Sequence, residues 1–113
     1  MSGEFYTSEG CFITEWSNTP DDPAVSIARA RVTPAVTTRW HRLADIAERY
    51  VILEGSGRAE VGLKSPQDVG PGDVVVIPPA CPQRITNTGK TDLIFLAICT
   101  PRFTSEAYQE LSC

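Results

Sequence analysis

Chain-breaking residues recur too closely here for long helices to form. From Phe12 to Cys99, runs rich in Val, Ile, Thr and aromatic residues are interrupted by Pro or Gly about every ten residues. The pattern predicts eight strands, over 12–16, 25–32, 38–43, 49–53, 57–62, 74–77, 83–87 and 93–99. Turn signals separate them at Asn18-Thr19-Pro20-Asp21-Asp22-Pro23, Glu54-Gly55-Ser56-Gly57, Gly70-Pro71-Gly72-Asp73 and Asn87-Thr88-Gly89. The last is expected to close a hairpin. Many short, evenly spaced strands imply a sandwich or a barrel. Only 104–111 reads as helix, with Thr104 or Ser105 as its cap and Glu106 in the first turn.

At 113 residues the chain fits one domain, and with no internal repeat or linker it is read as 1–113 throughout. Apolar residues at 42% supply a core, and a net charge of −4 excludes the basic stripe that a nucleic-acid surface needs. Arg29, Arg31, Arg39, Arg42 and Arg49 are expected on solvated strand faces. The apolar run 93–99 has the length of a strand and cannot span a bilayer, and no basic segment followed by an apolar one marks the N-terminus. The expectation is a soluble cytoplasmic protein with no membrane partner. Cys11, Cys81, Cys99 and Cys113 form no CxxC pair, so four free thiols are expected, with Cys81 and Cys99 near the core.

Side chains two apart on a strand share a face. Arg39, His41 and Leu43 are therefore expected to point one way, as are Glu48, Tyr50 and Ile52, and Gln83 with Ile85. If these strands are neighbours in a barrel, His41, Glu48 and Gln83 converge inside it. A carboxyl in that interior is costly to ionise, and beside an imidazole it suits acid–base catalysis near neutral pH. Tyr50 adds a hydroxyl on the same face, or packs the core. Arg39 either grips an anionic ligand group or covers the outside. Trp40, out of phase with His41, faces away, and both Trp16 and Trp40 read as packing residues. Cys81 reads as an inert thiol.

Two segments resemble the paired motifs of the cupin superfamily. The first, roughly G-x5-H-x-H-x4-E-x6-G, is met by Ala35 at the first glycine position, His41, Leu43 at the second histidine, Glu48 and Gly55. The second, roughly G-x5-P-x-G-x2-H-x3-N, is met by Gly72, Pro78, Ala80 at the glycine, Gln83 at the histidine and Asn87. The resemblance implies an all-β double-stranded β-helix, or jelly-roll barrel, here with the short C-terminal helix. It also implies a divalent metal (Fe, Mn, Ni or Zn) held by three His and one Glu. Carried over, His41, Glu48 and Gln83 are the metal-ligand positions, and Leu43 cannot ligate. The implied function is that of a small-molecule cupin, a metal-dependent isomerase, cyclase or dioxygenase-like enzyme. The alternative is a metal-free, non-catalytic ligand binder or sensor. A homodimer is the family expectation, with Cys11-Phe12-Ile13 adding to a neighbour's sheet edge.

Overall fold

Alternation of buried and exposed side chains sorts the strands into two antiparallel sheets. The computed structural model describes residues 3–112. One sheet has six strands: β1 (Phe5–Tyr6), β2 (Phe12–Ser17), β3 (Ser26–Val32), β5 (Ala47–Glu54), β8 (Val74–Ile77) and β10 (Leu93–Thr100), in the order β1-β2-β3-β10-β5-β8. The other holds β4 (His41–Leu43), β6 (Gly57–Val61), β7 (Gln67–Val69), β9 (Gln83–Asn87) and β11 (Tyr108–Glu110), in the order β11-β4-β9-β6-β7. This is the jelly-roll barrel that the resemblance to cupins implies.

Each predicted strand is present within a few residues of its expected place, except that 38–40 lie outside β4. Val32, Ile52, Ile85, Leu93 and Phe95, each at most 2% exposed, fill the space between the sheets. Pro78 follows the end of β8, as a residue without a backbone donor should. Gly72 sits at φ +91° in the turn before β8, where Gly70 N–H donates to Asp73 Oδ2 at 2.8 Å.

Several expectations need correcting. The helix over 104–111 is a single 3₁₀ turn at Ser105–Ala107, followed by β11. Thr104 makes no side-chain cap, whereas the next residues pair with β4, Tyr108 opposite Leu43 and Glu110 opposite His41. Tertiary pairing outweighs a weak local preference here. The Asn87-Thr88-Gly89 turn does not close a hairpin, because β9 and β10 lie in different sheets. Asn87 instead ties the crossover down, its Nδ2 donating to Val32 O and Thr91 O at 2.8 Å each. The described thiols are free as expected, with Cys99 buried, Cys81 half-buried against the core and Cys11 buried as well; Cys113 lies outside the described residues. Finally, Phe12 and Ile13 are paired on both sides within their own chain, to β1 and β3. Trp16 is exposed, whereas Trp40 lies under the Arg84 guanidinium at 4.5 Å. Among the described residues no helix is long and apolar enough to cross a membrane.

Candidate active site in the barrel interior

β4 and β9 are joined where His41 faces Gln83 across the ladder. On the opposite sheet, Glu48 and Tyr50 project inward from β5, with Cys99 of β10 beside Glu48. His41, Glu48, Tyr50 and Gln83 are all buried, at 2%, 7%, 3% and 1% exposed. Their burial fits the period-two reading for these four residues.

A hydrogen-bonded chain links three of them. The Tyr50 hydroxyl donates to Gln83 Oε1, and Gln83 Nε2 donates to Glu48 Oε1 at 2.5 Å. Cys99 Sγ lies 3.8 Å from the other oxygen, Glu48 Oε2. Both ends of the Gln83 amide are thus engaged, and Gln83 bridges the two sheets behind Glu48 and Tyr50.

His41 is fixed differently. Its Nδ1 lies 2.7 Å from Arg39 O, a pure acceptor, so Nδ1 carries the proton and Nε2 is left to face other groups. Nε2 is 3.6 Å from Glu9 Oε2, and the Tyr108 ring stacks on the imidazole with centroids 5.3 Å apart.

Glu9 gave no signal in the sequence. It sits in the tight turn between β1 and β2, where Thr7 N–H donates to Cys11 O and Gly10 N–H to Thr7 O. Arg39 pins that turn, its backbone N–H donating to Glu9 O and its Nε to Ser8 O, each at 2.9 Å. Arg39 therefore does not point inward with His41. Its side chain is 64% exposed, with Nη1 3.8 Å from Glu110 Oε2. Cys81 lies apart from the site, with Sγ 3.7 Å from Pro82 O.

Glu9, Glu48, Tyr50, Cys99 and Tyr108 line a cavity of about 300 Å³ whose remaining wall is mainly apolar, with Phe95 and Ile13 prominent. His41 and Gln83 stand behind that wall. Burial drives the Glu9 carboxyl up to about 7, with only the Cys11 thiol opposing. Glu48 is raised too, first by burial and then by the charge of Glu9; the Gln83 bond, His41 and Cys99 oppose the rise. Burial holds the thiols of Cys11 and Cys99 well above their usual range, which keeps both un-ionised and poor nucleophiles.

As a metal-ligand set, His41, Glu48 and Gln83 fit poorly. The single acceptor atom of Gln83 already receives the Tyr50 hydroxyl, and Leu43 offers no donor. Among the described residues no three His, Cys, Asp or Glu side chains are grouped to share an ion.

Comparison with known structures supports the fold. A histidine-to-glutamine variant of Streptomyces PAC13, bound to uridine, superposes with a TM-score of 0.82 at 15% identity, covering 98% of this chain and 85% of that one. KdgF from Halomonas sp. gives 0.79 at 14%, covering 90% of each chain. Oxalate decarboxylase from Bacillus subtilis gives 0.83 at 20%, covering 96% of this chain but 30% of its own. No curated protein matches the sequence. The cupin domain family model matches residues 28–99, most of the chain and both motifs, and the protein accordingly belongs to the cupin family.

Proposed function

We propose that this cupin is an acid–base catalyst that moves protons on a small molecule held in the barrel, without a metal ligated by Gln83. One observation carries the reading. Two carboxyl groups from separate segments, Glu9 and Glu48, face the same largely apolar cavity, and His41 Nε2 stands 3.6 Å from one of them.

Burial raises both carboxyls, and the charge of Glu9 raises Glu48 further, which favours one proton on the pair near neutral pH. One is then a base while the other is an acid. In an isomerisation, the carboxylate takes a proton from carbon beside a carbonyl, and the carboxylic acid protonates the carbonyl oxygen. In an elimination, the base takes the C–H proton, the acid protonates a departing hydroxyl, and water leaves as the double bond forms. His41, with its Nδ1 proton tied to Arg39 O, can take the Glu9 proton on Nε2 between turnovers. Gln83 and Tyr50 orient Glu48. Pac13, described as a nucleoside dehydratase, adds elimination of water to the reactions that this barrel can host.

The test is incubation with small hydroxy-aldehydes, hydroxy-ketones and nucleosides in deuterated buffer near pH 7, followed by NMR. Deuterium at carbon or a dehydrated product is expected from the wild type. Glu48→Gln should slow it by about 10²-fold or more. Equal rates for wild type, Glu9→Gln and Glu48→Gln would refute the assignment. The binder reading draws on the engaged Gln83 amide and on Leu43, which make a poor set of metal ligands. It predicts ligand affinity with no exchange at all.

A further inference from the structure

Resting on the reading that this cavity is the working site, we infer that its ligand is an uncharged molecule with an apolar face and a hydrogen-bond acceptor, and that carboxylates and phosphates are refused.

Three features of the cavity lead there. No Lys or Arg is among the described residues that line it, whereas Glu9, Glu15 and Glu48 all do. A buried anion needs a paired cation, so an anionic ligand would enter with no partner and against three carboxyls. The basic side chains next in sequence to lining residues are engaged elsewhere, Arg29 and Arg31 with Glu4, Arg49 with Thr100 and Arg102 with Asn18, and Arg39 is held outside by Ser8 O and Glu110.

The second feature is the wall. Phe95, Ile13 and Phe103 give it aromatic and aliphatic surface. Its volume of about 300 Å³ is roughly twice that of dry cavities known to admit benzene.

The third feature is Tyr108. Tyr108 lines the cavity, and its hydroxyl is buried with no hydrogen-bond partner among the described residues. Such groups are rare because each costs the desolvation of a polar atom. A ligand oxygen that accepts from Tyr108 would settle it. The carboxyls reinforce the choice of a neutral ligand. Burial keeps protons on Glu9 up to about pH 7, so at mildly acid pH the cavity offers donors more than charge.

A matched set of one-ring probes decides the matter: benzyl alcohol, benzoate and benzylamine, titrated at pH 6 with backbone amide shifts as the readout. Benzyl alcohol should shift the amides of cavity residues such as Ala28, Ala97 and Tyr108. Benzoate should bind at least about tenfold more weakly, because it carries a buried unpaired charge. Benzylamine, cationic at this pH, should not exceed the alcohol. Tyr108→Phe should weaken the alcohol about three- to tenfold, the loss of one hydrogen bond, without lowering the melting temperature of the free protein. Benzoate equalling the alcohol, benzylamine binding tightest, no cavity shift with any probe, or an unchanged affinity in Tyr108→Phe would each overturn the inference. Binding is read here without turnover. Probes that bind in the expected order to a protein inactive in deuterated buffer would refute only the catalytic reading. Proton exchange by a protein that prefers benzoate would refute only this one.

Discussion

Ala35 and Ala80 hold φ values of +69° and +61°, a region that costs a residue with a Cβ roughly 1–2 kcal/mol. Both stand where the motifs carry glycine. The backbone has kept the glycine conformation while the sequence has lost the glycine. Ala80 helps aim the segment before Gln83, and its N–H donates to Leu43 O at 2.8 Å. Ala80→Gly should leave that bond intact and stabilise the protein by up to about 1 kcal/mol, since relief of strain exceeds the added freedom of the unfolded chain. Urea denaturation measures it, and a loss of stability would show that the alanine methyl packs. The same motif spacing made His41, Glu48 and Gln83 legible, because two strand periods and one ladder pairing suffice to bring them together. Glu9 was not legible. It reaches His41 from an irregular turn some thirty residues upstream, and nothing in local periodicity records such a contact.

At the scale of elements, the longer strands announced themselves, and three short edge pieces did not. β1, β7 and β11 are two or three residues long and mostly exposed, too short to show alternation. β11 nevertheless carries Tyr108 over His41. Gln109 faces Arg42 in the middle of this pairing, so Gln109→Pro should break it. A loss of about 1–3 kcal/mol is expected, with weaker ligand binding; unchanged unfolding would mean that the strand contributes nothing. Turns divide in the same way. Gly72, at φ +91°, has open space where a Cβ would lie, so Gly72→Ala pays only backbone strain, about 1 kcal/mol. Gly55, at φ +87°, would place a Cβ 2.6 Å from Asp92 O, a backbone atom that cannot step aside. Gly55→Ala should therefore cost roughly 3 kcal/mol or more, and equal melting temperatures for the two variants would contradict the crowding at that corner.

For the whole molecule, the interior carboxyls set a pH dependence opposite to that of the surface. Glu4 is held low by its hydrogen bond to Arg31, so its contribution is present above its unfolded value of 4.5 and fades as the pH falls towards the lower folded value. Glu9 is raised from 4.5 to about 7, and Glu48 is raised as well. Between those values the folded chain binds more protons than the unfolded one. Stability therefore falls as pH climbs from about 4.5 to about 7, and above that the chain bears the full cost of ionised carboxyls in an apolar hollow. For Glu9 alone the shift from 4.5 to about 7 corresponds to on the order of 3 kcal/mol across the window. The melting temperature should thus peak near pH 5 and decline towards pH 8. Glu9→Gln or Glu48→Gln, which can no longer ionise, should flatten the decline and leave each variant more stable than the wild type at pH 8. A wild type whose melting temperature rises steadily from pH 5 to 8 would place both carboxyls in contact with water, and the cavity could then hold no proton for catalysis.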